Sequence, residues 1–128
     1  MLKKPYRMKN PSDFLEVIRN GVRVSNKYMV VHYKTDKRNV ATPLVGFVVP
    51  KKQLPKAVDR NRVKRQFRHI FAGKIGKIDS GTHIVIRILA DAKGKKSFEL
   101  EKKLDIALKR AKEKMDNRVD KSDSLVIQ

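Results

Sequence analysis

Five cations crowd one short stretch of this chain: Arg60, Arg62, Lys64, Arg65 and Arg68. Asn61, Gln66 and His69 lie among them. The chemistry open to such a set is anion recognition. A guanidinium offers a planar fork that meets phosphate oxygens in pairs and stacks on bases, and Arg outnumbers Lys here four to one. Chemistry of the bond-breaking kind has no comparable set. His32, His69 and His83 lack the spacing of metal ligands, and no cysteine supports them. Asp59 and Asp79 are the only acids between residues 40 and 90, too few for a two-metal nuclease. Gly73-Lys74-Ile75-Gly76-Lys77 has the wrong spacing for a phosphate-binding P-loop and no Ser or Thr after a Gly-Lys pair. No catalytic residue and no metal site is expected.

The cations need an element to hold them, and their spacing names it. Val63, Phe67, Ile70 and Phe71 fall at i, i+4, i+7 and i+8, one apolar helical stripe. Asn61, Arg65 and Arg68 take the opposite face. Asp59 stands where an N-cap is wanted and Gly73 where the helix should stop. Like charges at i,i+4 cost a helix roughly 0.2–0.5 kcal/mol per pair. Helix stability therefore does not call for this arrangement, and an anionic partner explains it better than a merely solvated basic face.

The wider composition agrees. The 128 residues carry 32 Lys and Arg against 13 Asp and Glu, a net charge of +19 that points to a polyanion. Residues 1–98 hold 24 basic and 6 acidic side chains, and residues 99–128 hold 8 and 7, so the polyanion should meet the first three quarters of the chain. The absence of cysteine excludes disulfides and thiolate zinc sites. No apolar run approaches the ~18 residues of a membrane span, and Met1 to Tyr6 lacks the apolar core of a signal peptide. A cytoplasmic protein with no membrane association is expected.

Taken in order, residues 1–9 read as an extended basic arm. Asn10-Pro11-Ser12-Asp13 starts a short helix that Asn20-Gly21 ends, with Phe14, Val17 and Ile18 on one face. Val22 to Lys34 reads as a strand interrupted near Ser25-Asn26, followed by a polar turn at 35–39. Thr42 to Val49 reads as a second strand, nearly all apolar and so central, and it should pair with the first as an antiparallel hairpin. Gly46 inside it marks a close approach of another backbone or a bulge. Thr82 to Leu89 reads as a third strand, parallel to the second across the Arg-rich helix. Ser97 caps a last helix with Leu100, Leu104, Ala107, Leu108, Ala111 and Met115 as its apolar stripe. Residues 117–128 lose that period and read as a flexible tail. The expected fold is a two-layer α+β sandwich in the order αβββαβα, a mixed sheet of about four strands packed by three helices. One RNA-binding domain spans residues 1–116. Aromatic and basic groups on the sheet face beside the first helix (Phe14, Tyr28, His32, Tyr33, Lys51, Lys52) could stack on and neutralise a single strand.

Arg60-Asn61-Arg62-Val63-Lys64-Arg65-Gln66-Phe67-Arg68 resembles the hallmark run of the bacterial ribonuclease P protein family. Arg7-Met8-Lys9 with Asp13-Phe14, then Asn20-Gly21, Lys51-Lys52, Ala57-Val58 and Ser97-Phe98-Glu99, extend the resemblance over roughly residues 5–115. It implies a left-handed crossover around the central helix, an exception to the usual hand. It also implies a non-catalytic subunit of an endoribonuclease whose RNA performs the cleavage and binds most of the Mg²⁺. The partners implied are ribonuclease P RNA and precursor tRNA, with no obligate protein partner. Carried over by position, Arg60, Asn61, Arg62, Lys64, Arg65 and Arg68 would contact the catalytic RNA. Phe14, Ile18, His32, Lys51 and Lys52, with Tyr33 beside His32, would line the cleft for the 5′ leader. A structural rRNA-binding ribosomal or assembly protein is the alternative. A DNA-binding module is weakened by the strand and Pro-containing loop that precede the basic helix.

Overall fold

The computed structural model describes residues 2–36 and 41–127, with side chains described through residue 118. Helix α1 spans Pro11–Asn20. Its start follows from Asn10, whose side chain accepts from the Ser12 amide at 3.1 Å, and from Pro11 at the first helical position. Gly21 ends it by donating to the Val17 carbonyl at 2.9 Å. A Cβ at Gly21 would stand 2.5 Å from the Val17 oxygen and 2.7 Å from the Tyr33 oxygen, so only glycine lets the chain pass between them. Strand β1 (Val22–Ser25) follows at once, and β2 (Met29–Thr35) returns beside it. Asn26 makes the turn: its Oδ1 accepts from the amides of Tyr28 at 2.9 Å and Met29 at 3.1 Å. The polar turn expected at 35–39 lies mostly outside the described residues.

Next come β3 (Leu44–Val48), α2 (Ala57–Ala72), β4 (Thr82–Ile88) and α3 (Ser97–Ile127). The sheet order is β1-β2-β4-β3. β3 and β4 are parallel, as their connection through a helix requires. The hairpin expected between β2 and β3 does not form. β4 inserts between them, antiparallel to β2 with Val31 opposite Ile86. The doubly buried centre is thus β4, where Ile84, Val85, Ile86 and Ile88 are fully enclosed. β3, expected to be central, lies at the edge. The N-terminal segment, read as an extended basic arm, protects it: the Met8 amide donates to the Val45 carbonyl at 2.9 Å, and Leu2 is buried in the main core.

Two layers carry most of the packing. One sheet face meets Val63, Phe67, Ile70 and Phe71 of α2 and Leu100, Leu104, Ala107, Ala111 and Met115 of α3. Phe47 meets Phe71 edge-on, with ring centroids 5.6 Å apart. The other face is covered only in part, by α1 through Val17 and Phe14 with Met8 and Val85. The close approach expected at Gly46 is made by a ring rather than a backbone: a Cβ there would lie 2.4 Å from two carbons of Phe14.

Two helix limits differ from expectation. α2 begins at Ala57, so Asp59 is its third residue and not its N-cap, and its buried carboxylate instead pairs with Lys93 at 3.1 Å. α3 continues to Ile127 through the segment read as a tail. No Gly or Pro interrupts residues 97–128, so nothing stops the helix where its apolar period fades.

Candidate nucleic-acid interface

The apolar stripe of α2 is consumed by the core, which fixes the direction of everything else on that helix. Arg60, Lys64 and Arg68, at i, i+4 and i+8, lie on the flank toward β3. Arg62, Arg65 and His69, at i, i+3 and i+7, lie on the flank toward the loop 93–97, with Asn61 between the two sets. Asn61, Arg62 and Arg65 are exposed, and Lys64 and Arg68 are half-buried. Among the described residues no ion pair involves Arg62, Lys64, Arg65 or Arg68. Arg60 has a second job. Its guanidinium donates to the carbonyls of Leu54 at 2.9 Å and Pro55 at 2.6 Å, which ties down the loop that feeds the helix.

The second surface is the half of the sheet that α1 leaves open. Register places Arg23 opposite His32, His32 opposite Val85, and Arg87 between Val30 and Val48. Ile18 stands at the edge of α1, 38% exposed, and Phe14 is half-buried over Gly46. Lys51 and Lys52 are exposed on the turn after β3, at the end where β3 and β4 finish. Gln53 fastens that turn to the end of β4 by accepting from the Ala90 amide at 2.9 Å.

Phe14 and His32 therefore share one side of the sheet, with Ile18 at the edge of α1, while Lys51 and Lys52 stand on the turn beyond the end of β3. Tyr33, expected beside His32, is not on that side. Successive strand residues point to opposite faces, and the ring of Tyr33 lies in the α2/α3 core, with its hydroxyl held by Thr35 and Thr82. Tyr28 also packs against that core. Conversely, sequence reasoning misses Arg23 and Arg87. An arginine interrupting the apolar run Ile84-Val85-Ile86 to Ile88 is the signal, since a charge in a central strand must face an open patch.

A small cavity joins the two surfaces. Arg68 of α2, Arg7 and Lys9 of the N-terminal segment, and the Phe14 ring line about 250 Å³ at the edge of β3. Cations from two elements and one aromatic ring from a third thus meet where the α2 face passes into the sheet face.

His32 is almost fully buried, and its Nδ1 has no hydrogen-bond partner among the described residues. Burial first, and then the charges of Arg23 and Arg87, hold its pKa below the ordinary histidine value. The ring is neutral in the folded protein near pH 7. Below about pH 6.5 the unfolded chain takes up a proton that the folded chain refuses, so stability falls with acidification through that range. His32→Gln should flatten the decline of melting temperature between about pH 7.5 and 5.5. An identical slope in the variant would show that the ring is not the group responsible.

Among the described residues, no three His, Asp or Glu side chains come together as metal ligands. Asp59, Asp79, Glu101 and Asp105 are all engaged by lysines. No helix among the described residues is long and apolar enough to cross a membrane.

Comparison with known proteins gives one consistent result. The family profile of ribonuclease P matches residues 2–112. The ribonuclease P protein component of Acidothermus cellulolyticus is 38% identical over 110 residues, covering 86% of this chain and 91% of its own. That of Mycobacterium tuberculosis is 32% identical over 113 residues, covering 88% and 95%. Among solved structures, the RNase P protein of Staphylococcus aureus superposes with a TM-score of 0.74 at 31% identity, covering 85% of this chain and 97% of its own. That of Thermotoga maritima gives 0.69 at 30% identity, covering 81% and 96%.

Proposed function

The chain belongs to the ribonuclease P protein family and is the protein subunit of an endoribonuclease holoenzyme, and we propose that its two basic surfaces divide the work between two RNAs. Its partner is ribonuclease P RNA. The α2 face, through Asn61, Arg62, Lys64, Arg65 and Arg68, holds that catalytic RNA, with Arg60 bracing the loop behind it. The open half of the sheet holds the single-stranded 5′ leader of precursor tRNA. Phe14 and Ile18 give it apolar contact there, Arg23 and Arg87 meet phosphates on the floor, and Lys51 and Lys52 meet them at the exit. His32 lies beneath as a neutral floor residue. The observation that carries this reading is the set of cations on α2 that form no ion pair among the described residues, beside a partly covered sheet face.

The physical role is electrostatic. Two RNAs brought together repel, and a +19 chain placed between them lowers that cost. The cleavage chemistry belongs to the RNA, which also holds the Mg²⁺. The carboxylates of this chain suit that division, because those named above are already neutralised by lysines. Bound Mg²⁺ supplies charge neutralisation and an activated water at the scissile phosphate. The protein's residues bind and position. The cytoplasm is the place of action. No observation favours the ribosomal alternative.

The test is reconstitution. Purified protein, bacterial ribonuclease P RNA and a precursor tRNA are mixed at low Mg²⁺, and release of the 5′ leader is followed. Cleavage that needs both protein and RNA is the expected result. Cleavage by protein alone, or tight RNA binding without stimulation, would overturn the reading.

A further inference from the structure

A groove on the far flank of α2 is built for more than backbone phosphates. It encloses about 590 Å³ between α2 and the loop 93–97, within the ~300–1,000 Å³ of sites that enclose a small ligand. Both of its ends are bolted. Gln66 Nε2 donates to the Lys95 carbonyl at 2.8 Å and to Ser97 Oγ at 3.0 Å, and Lys93 pairs with Asp59 at 3.1 Å. Gly94, at φ +76°, turns the loop between those bolts. The groove is therefore preformed and not a gap between mobile side chains.

Its lining combines two characters. Arg62 and Arg65 stand on one wall and Lys95 on the other, and the one carboxylate present, Asp59, is already neutralised. Val63 contributes apolar surface. Phe98 follows Ser97 and is 66% exposed, more than any other large hydrophobic side chain among the described residues. It shares a helical stripe with Glu101 and Asp105 at i+3 and i+7, and those two carboxylates reach Lys74 at the end of α2. Phe98 thus sits on the flank of α3 whose carboxylates reach α2, one residue beyond Ser97, which lines the groove. An exposed ring has no structural use there, and none of the described residues covers it.

We propose that this groove takes one unpaired nucleotide of the catalytic RNA, with its base stacked on Phe98 and its flanking phosphates held between Arg62, Arg65 and Lys95. Cations on both walls with an aromatic rim match a nucleotide whose base is free of pairing. A paired helix would meet only the rim. The inference rests on the reading that α2 binds the catalytic RNA.

The experiment measures catalytic-RNA affinity at several salt concentrations and the chemical reactivity of unpaired nucleotides in the complex. It uses Phe98→Ala, Phe98→Trp and Lys95→Ala. Phe98→Ala should weaken binding about tenfold, leave the salt dependence unchanged, and alter the reactivity of one or two unpaired nucleotides. Phe98→Trp should restore both affinity and reactivity. Lys95→Ala should reduce the salt slope by about 0.7–0.9. Wild-type affinity and reactivity in Phe98→Ala, in a protein with an unchanged melting temperature, would overturn the proposal. If Arg65→Ala/Arg68→Ala also bound normally, the fault would lie with the α2 reading itself. If that variant were weakened while Phe98→Ala was not, only the nucleotide groove would fall.

Discussion

Replacing Arg65 and Arg68 together with alanine should weaken binding of the catalytic RNA roughly a hundredfold or more at ~0.1 M salt, at about 1.5–3 kcal/mol for each charge-assisted hydrogen bond removed. It should also lower the slope of log K against log salt by about one to two units, since each phosphate neutralised contributes about 0.7–0.9. The fold should be untouched. Neither side chain belongs to the buried stripe of Val63, Phe67, Ile70 and Phe71, and neither takes part in an ion pair among the described residues. Alanine is the best helix former and relieves like-charge repulsion, so the melting temperature should hold or rise slightly. Arg65→Lys/Arg68→Lys should recover the salt slope but only part of the affinity, because an ammonium keeps the charge without the two-pronged geometry. A salt slope equal to wild type in the alanine variant would remove α2 from the RNA interface.

Gly21→Ala should cost stability on the order of 3 kcal/mol. The new Cβ would press on two backbone oxygens, those of Val17 and Tyr33, at 2.5 and 2.7 Å. A flexible side chain could swing away from such a neighbour. These two oxygens cannot, since one closes α1 and the other belongs to a strand paired on both sides. Overpacking that moves backbone usually costs about 1–3 kcal/mol and sometimes more. For a chain of this size that lowers the melting temperature by about 10 °C. Gly73→Ala is the matched control. It too follows a helix, but its backbone is in the ordinary helical region and the nearest atom to its Cβ is 3.7 Å away, so a change within about 0.5 kcal/mol is expected. Equal melting temperatures for Gly21→Ala and wild type would mean that α1 and β2 are not locked together at this point.

The parts of the molecule legible in the sequence are those written by local rules. Asn10 and Pro11 mark the start of α1, and the spacing of Val63, Phe67, Ile70 and Phe71 decides which face of α2 turns outward. The β3–β4 pairing is legible because a helix intervenes. What escapes is set by contacts between distant residues. Nothing within β2 or β3 says that β4 will come between them. Asp59 looks like a cap until Lys93, far along the chain, claims its carboxylate. The apolar character of Leu44 to Val48 suggests a central strand, yet an N-terminal segment anchored by Leu2 does the covering. On the site, the alternation of β2 separates His32 from Tyr33, and Arg87 becomes meaningful only because α1 leaves its part of the sheet bare.

That strand order has a consequence for how the protein comes into being. β4 is the last strand to leave the ribosome and the first that the sheet needs, since it alone joins the β1–β2 hairpin to β3. The β2–β4 ladder closes a loop in which even the nearest partners, Thr35 and Thr82, are 47 residues apart. Until residue 88 has emerged, β3 has no partner strand and α2 no completed sheet to pack against. During synthesis the Arg-rich stretch is therefore exposed before it is folded. Closing that long loop should set the folding rate, with the hairpin already formed in the transition state and β3 docking late.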